Sequence, residues 1–318
     1  MKISVVIPTY NSAATIKAAL DSVLRQTVQP DEILVLDDGS TDNTLALLES
    51  WRPRVTIMQQ ENRGVAQTRN RLCQMAGGDL VAFLDHDDLW HPGYLEAQRR
   101  QFEQFPAAVA FFTGHVNFSG HDGYNWDELP APADTAAELI EPLSFFKRYN
   151  QTTGLFASMS YCCVPKKVLA AMGDEPFRVS GVDDSYLCNV LSLFGPVVYA
   201  AVPLVAYRVT NGAQSADRLK AIALWVEVFR ILEGRFRAEA NAGLRRAFRL
   251  AFAAKRRQFA KILMGAGRIS EARSQIRQSL GNGVHPLSLG KSLGLLLLTY
   301  FPAGLQPVWP SSCREWPA

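Results

Sequence analysis

The 318-residue chain is predicted to be an α/β protein: a mainly parallel sheet flanked by helices, with a helical extension after it. Three observations carry this. Short apolar runs rich in β-formers alternate four times with helix-period segments over residues 3–88, the pattern of strands joined by crossover helices. Three of those runs end in polar or acidic residues, Thr9-Tyr10-Asn11, Asp37-Asp38 and Asp85-His86-Asp87. From Asp217 to Leu280 the pattern is helical only and rich in Arg.

Ile3 to Ile7 is the first buried strand, closed by Pro8, and Asn11 or Ser12 is expected to cap a helix with Ile16, Leu20, Val23 and Leu24 on one face. Glu32 to Leu36 is the second strand, running into Asp37-Asp38-Gly39-Ser40, and Thr41 or Asp42 caps a short helix through Leu48. Val55 to Met58 is the third strand and Val65 to Met75 the third helix. Gly77-Gly78 then precedes the fourth strand, Leu80-Val81-Ala82-Phe83-Leu84, which stops in Asp85-His86-Asp87-Asp88. Beyond it, Phe111-Phe112-Thr113 is strand-like and Asp122 to Asp134 is an exposed loop. Asp184 to Phe194 is helical, and Val197–Val202 and Val205–Tyr207 are two further strands. Gly265 to Ala272 is a turn between packed helices. In open α/β sheets ligands bind beyond the carboxyl ends of the strands, so the three polar strand ends are expected to face one crevice.

Charge is unevenly spread. Residues 215–318 carry 17 Lys and Arg against 6 Asp and Glu, and the other 214 residues carry 16 against 24. An acidic front part argues against nucleic acid as a partner. The basic tail suits a solvated helix face or peripheral contact with anionic lipid. Five scattered cysteines without metal spacing (Cys73, Cys162, Cys163, Cys188, Cys313) fit a reducing compartment. No basic leader is visible and Leu293–Phe301 is too short to span a bilayer, so the expected location is cytoplasmic, or peripheral on the inner membrane face.

Carboxylates crowded at a strand end repel one another unless a cation or proton offsets them, and Mg²⁺ or Mn²⁺ fits such oxygen ligands. On that stretch alone, an acidic turn with a helix cap and a metal site stand level. Asp37-Asp38 by itself reads as a turn and cap cluster, and Asp183-Asp184 as first-turn acids of a helix.

The ordered set of motifs resembles the family 2 glycosyltransferases of the GT-A fold over roughly residues 2–215. Its carriers are Val5-Val6-Ile7-Pro8-Thr9-Tyr10-Asn11, Ser22-Val23-Leu24-Arg25-Gln26-Thr27, Ile33 to Asp42, Asn62-Arg63-Gly64-Val65-Ala66, Arg69-Asn70, Phe83 to Asp88, Val182-Asp183-Asp184 and Tyr207-Arg208. The resemblance implies a Rossmann-like GT-A domain over 1–214, with a nucleotide-binding half (1–110) and an acceptor half (111–214), and a basic helical region over 215–318. It implies that Asp38, Pro8, Thr9 and Tyr10 contact the donor's base. Arg208 would meet its phosphates, Asp85 the ribose or a metal-bound water, and Asp87 a Mg²⁺ or Mn²⁺ ion, while Arg69 either neutralises the phosphates or lies on a solvated helix face. Asp184 would be the catalytic base with Asp183 orienting, His86 would face sideways and Asp88 would turn into the next helix. The implied function is inverting, metal-dependent transfer of a sugar from a nucleotide diphosphate, a UDP-sugar, to a saccharide or lipid-linked saccharide in cell-surface polysaccharide synthesis. Relatives commonly carry His two residues after the Tyr-Arg pair, where Thr210 stands here. That leaves open a catalytically silent nucleotide-sugar-binding or scaffold protein. A nucleotidyltransferase is the other alternative, although Pro8-Thr9-Tyr10-Asn11-Ser12 lacks a glycine-rich phosphate loop.

Overall fold

The computed structural model describes residues 1–120, 124–126, 137–151, 158–209, 218–282 and 286–300. The predicted alternation is present: β1 (Ile3–Thr9), α1 (Ile16–Leu24), β2 (Glu32–Asp37), α2 (Thr44–Leu48), β3 (Thr56–Gln59), α3 (Val65–Met75) and β4 (Leu80–Phe83). Then come β5 (Leu89–Trp90), α4 (Tyr94–Gln104), β6 (Ala110–Phe118), β7 (Glu138–Ile140), α5 (Pro142–Gln151), β8 (Cys162–Pro165), α6 (Lys166–Ala171), α7 (Asp183–Leu191) and β9 (Val197–Arg208). The strands form one mixed sheet in the order β3-β2-β1-β4-β8-β6-β9-β5, with β7 also on β9.

β1 to β4 are mutually parallel, and β1 and β4 are buried along their whole length. That explains their largely apolar runs, since a parallel strand covered on both faces has no solvent-facing side, and the buried Ser4 in β1 donates to Glu32 Oε1 at 2.5 Å. Val5, Val6 and Ile7 are fully buried, and burial of such a side chain stabilises by about 1.5–3 kcal/mol. Pro8 lies inside β1 rather than closing it. Thr9 points its backbone at β2, so the N–H that Pro8 lacks falls on the β4 side, where β4 has already left its last partner, Val6. Thr9 is level with Asp37 and Asp37 with Gln59, so the carboxyl ends of these strands open on one edge.

Several local expectations are corrected. Neither Asn11 nor Ser12 caps α1 with its side chain: the helix starts after Thr15, and Ser12 Oγ pairs with Thr9 Oγ1. Asn11 instead takes a left-handed φ of 48° and its Oδ1 accepts from Thr41 N–H at 2.8 Å, tying the first loop to the second. α2 begins at Thr44, whose N–H donates to Asp42 Oδ1 at 3.0 Å. Asp88 leads into β5, an edge strand antiparallel to β9, not into a helix. The two strand-like runs after Val197 are one strand, β9, which bulges against β6 at Gly114. A Cβ there would come within 2.8 Å of Ala201 O and 3.0 Å of Val202 O. The residue 122–134 loop lies outside the described residues apart from Tyr124, Asn125 and Trp126, as do Thr210 and Cys313.

The chain divides into two compact units, residues 1–145 with 153–213, and 146–152 with 214–318. The second contains α8 (Arg218–Ala238), α9 (Ala242–Gly265), α10 (Ile269–Asn282) and α11 (Pro286–Leu298). Phe236 stacks on Phe248 at 4.3 Å and Phe229 on Phe252 at 5.5 Å, the aromatic face where α8 meets α9. α9 and α10 meet at the predicted turn, where Gly267 has φ 74° and Arg268 N–H closes on Leu263 O at 2.8 Å. No helix among the described residues is long and apolar enough to cross a membrane.

Candidate active site

The site grows from strand ends that the register brings level. Asp37, at the end of β2, is fully buried and accepts from Ser40 N–H at 3.1 Å and from Ser40 Oγ. Asp38 accepts from Gln60 Nε2 at 2.7 Å, Arg63 N–H at 2.9 Å and Gly64 N–H at 2.8 Å. Its carboxylate therefore shapes the loop between β3 and α3. Beside it an open cleft is lined by Gly39, Ser40, Gln59, Gln60, Glu61 and Asn62. Gly39 has φ 79°, and a Cβ there would stand 2.9 Å from Asn62 N. Thr9 is buried, whereas Tyr10 is exposed.

At the end of β4, Asp85 N–H donates to Ser160 Oγ at 3.0 Å, and Ser158 Oγ donates to Asp85 Oδ2 at 3.3 Å. Asp85 Oδ1 pairs with Arg69 Nη2. His86 turns aside to Thr15 Oγ1 at 3.1 Å. Asp88 is buried: its Oδ1 accepts from Arg208 N–H at 2.9 Å and its Oδ2 from Ser158 Oγ at 3.3 Å. Burial, then Asp87 and Asp85, push its carboxyl well above the usual range. Asp87 is raised as well, first by burial, with His86 opposing and Asp85 adding.

Asp183 and Asp184 open α7. Arg69 is not on a solvated helix face. It is buried, its Nη1 pairs with Asp183 Oδ2, and its guanidinium lies 5.8 Å from the Phe177 ring. Asp184 stays partly open to solvent and accepts from Ser185 N–H at 2.6 Å. Burial within its protein surroundings and the adjacent Asp183 push it up to about 7, against Arg69. Arg208 donates from Nε to Asp87 O at 2.7 Å and covers the Phe118 ring at 4.4 Å, while Nη1 and Nη2 are buried with no hydrogen-bond partner. Five carboxylates thus gather with two guanidiniums. Among the described residues no group of three His, Cys, Asp or Glu is arranged to hold a metal by itself.

A family model described as "Glycosyl transferase family 2" matches residues 4–169. The chain belongs to glycosyl transferase family 2. It is 34% identical over 152 residues to a chondroitin synthase of Pasteurella multocida, a match that covers 45% of this chain and 16% of that protein. The fold is similar to S. aureus TarS 1-349 in complex with UDP-GlcNAc (TM-score 0.67, 18% identity, 94% of this chain and 89% of that one). It is also similar to a mannosyltransferase from Pyrobaculum calidifontis in complex with GDP-Man and Mn²⁺ (TM-score 0.58, 20% identity, 95% and 82%). At those identities the likeness speaks for the fold alone, the GT-A type.

Sequence reasoning missed Ser158, Ser160 and Tyr161, which lie in a stretch of no clear pattern. They reach Asp85 and Asp88 because β8 pairs antiparallel with β4, Ala82 against Cys163. That pairing had no local signal beyond the apolar run Cys162-Cys163-Val164. Tyr161 stacks on His115 at 4.4 Å, and its phenol is pushed up first by burial and then by Asp88.

Proposed function

We propose that this family 2 member is an inverting glycosyltransferase that moves a sugar from a UDP-sugar to a saccharide or lipid-linked saccharide acceptor, in cell-surface polysaccharide synthesis. The observation that carries the reading is Asp184: one carboxyl, partly open to solvent, raised to about 7 beside Asp183 and Asp85. A general base works best with a pKa near the operating pH. In the reaction Asp184 takes the proton from the acceptor hydroxyl while that oxygen attacks the anomeric carbon. The bond from that carbon to the β-phosphate oxygen breaks, and UDP leaves with the electron pair. Attack opposite the leaving group inverts the configuration.

The residues fit a divalent ion. The carboxylates outnumber the guanidiniums, and Asp85 is already engaged by Arg69 and Ser158. Asp87, with Asp85 behind it, would hold Mg²⁺ or Mn²⁺, and the donor's phosphates would complete the coordination. When bound, the ion offsets charge building on the departing diphosphate. Arg208 would offer its two unpartnered terminal nitrogens to the same phosphates. Asp38, bonded to the cleft residue Gln60, would receive the base together with Pro8, Thr9 and Tyr10.

The test is a screen of nucleotide sugars for thermal stabilisation with Mn²⁺, followed by UDP release with water or saccharides as acceptor. Turnover supports the reading. Metal-dependent nucleotide binding without turnover of any donor supports a silent binding protein instead.

We also propose peripheral contact with anionic lipid through the second unit. Leu287, Leu293, Leu297 and Tyr300 leave an exposed apolar face on and just after α11, and Arg246 and Arg249 are exposed on α9. The basic set is smaller than the sequence suggested. Lys255 lies over Trp225 at 4.1 Å, Arg256 is buried, and Arg257 donates to Ser288 and Ser292. Failure to sediment with anionic liposomes at low salt would remove this contact.

A further inference from the structure

The acid cluster is assembled from two segments far apart in the chain, Asp85 at the end of β4 and Asp183 at the start of α7. Adjacent residues of α3 join them. Asn70 exchanges two hydrogen bonds with the Phe177 backbone, each 2.9 Å, and Ser180 Oγ accepts from Ala66 N–H at 3.2 Å. These bonds dock the loop that leads into α7. Arg69, one residue before Asn70, spends one terminal nitrogen on Asp183 and the other on Asp85.

A guanidinium is rigid and planar, so two carboxylates paired with its two terminal nitrogens are held at a fixed separation. Arg69 is only 6% exposed, and water cannot take either carboxylate's place. Each terminal nitrogen is paired with a carboxylate, and Nε is buried with no hydrogen-bond partner. Asp183, bound to Arg69, is held in place, and the next residue, Asp184, makes its hydrogen bonds within α7, accepting from Ser185 N–H.

We propose that Arg69 is a positioning residue that ties Asp183 to Asp85 and so aims Asp184 across the crevice at the acceptor side of the donor sugar. This rests on the transferase reading above. A lysine at 69 keeps the charge, but its single ammonium cannot span two carboxylates in a fixed fork.

The experiment uses the full chain, with Arg69→Lys and Arg69→Met, UDP plus Mn²⁺ as the binding probe, and hydrolysis of the turned-over UDP-sugar as the rate. In Arg69→Lys, UDP affinity stays within about threefold while kcat of hydrolysis falls about thirtyfold or more at little-changed KM. UDP affinity falling in step with the rate would make Arg69 a phosphate ligand, and an unchanged kcat would remove it from the site; either overturns the proposal. A urea denaturation cycle reads the tie without turnover. Arg69→Met should lower the midpoint in the native background, and by less than about a third as much in Asp85→Asn/Asp183→Asn, since coupled neighbours are not additive. Equal lowering in both backgrounds overturns the tie. A native chain that neither binds UDP nor hydrolyses any donor defeats the transferase reading, while the denaturation cycle still decides the tie.

Discussion

Asp184 makes the pH dependence of the reaction a direct probe of the site. Its carboxyl is raised from 3.8 to about 7 by burial and by Asp183 next to it. A base must be ionised to act, so the rate is present above that value and lost as pH falls through it. With a value near 7, about nine-tenths of the molecules carry the ionised base at pH 8 and about one-eleventh at pH 6, so kcat should drop about tenfold between them. An ordinary aspartate would give a flat profile over the same range. The assay is UDP release at saturating donor and Mn²⁺ from pH 5.5 to 8.5, with UDP binding measured calorimetrically at each pH to separate donor loading from chemistry. Asp184→Asn should abolish the acid limb and lower kcat by about 10²–10⁴, with UDP affinity retained. A kcat constant between pH 6 and 8, or full activity in Asp184→Asn, would refute the assignment.

Other outcomes follow from the same contacts. Asp87→Asn should weaken Mn²⁺-dependent UDP binding about tenfold or more with the melting temperature kept; unchanged calorimetric affinity would exclude it as a ligand. Burial and the neighbouring acids push the Asp88 carboxyl up, so Asp88→Asn, which keeps an acceptor for Arg208 N–H, should cost under about 1 kcal/mol, while Asp88→Ala costs about 1–3 by urea denaturation. Equal costs would show that Asp88 is buried as an anion. Arg208→Met keeps apolar packing on Phe118 and removes the two unpartnered terminal nitrogens, so UDP affinity should fall about tenfold. Gly114→Ala forces a Cβ against two carbonyls and should destabilise by about 1–3 kcal/mol; an unaltered urea midpoint would mean that the bulge relaxes freely.

Much of the sheet was legible because its signals are local. The apolar runs of β1, β2 and β4 need no partner to be recognised, since burial on both faces selects apolar residues along most of their length. The 3.6-residue periods of α1 and α3 are equally self-contained. Caps were read less well: Asn11 and Ser12 are good capping residues by type, yet each is drawn into bonds with neighbouring loops that the chain alone does not reveal. The acids at 37–38, 85–88 and 183–184 were recognisable as candidates, because carboxylates at strand and helix ends are chemically conspicuous.

What each acid does was decided only by the tertiary structure. Asp88 looked like a helix cap and is the buried acceptor for Arg208, because β5 pairs with β9. Arg69, on a solvated face in one reading of the sequence, is buried and joins Asp85 to Asp183. Lys255 belongs to a basic tail in the sequence, but against Trp225 burial pushes its ammonium down to about 8. By itself the sequence determined the alternating α/β order, the GT-A resemblance and the residues able to do chemistry, since residue type and periodicity are properties of neighbouring positions. The fold decided which of those residues face the crevice and which are held by one another, because burial, fixed hydrogen bonds and shifted proton affinities arise only where distant segments meet.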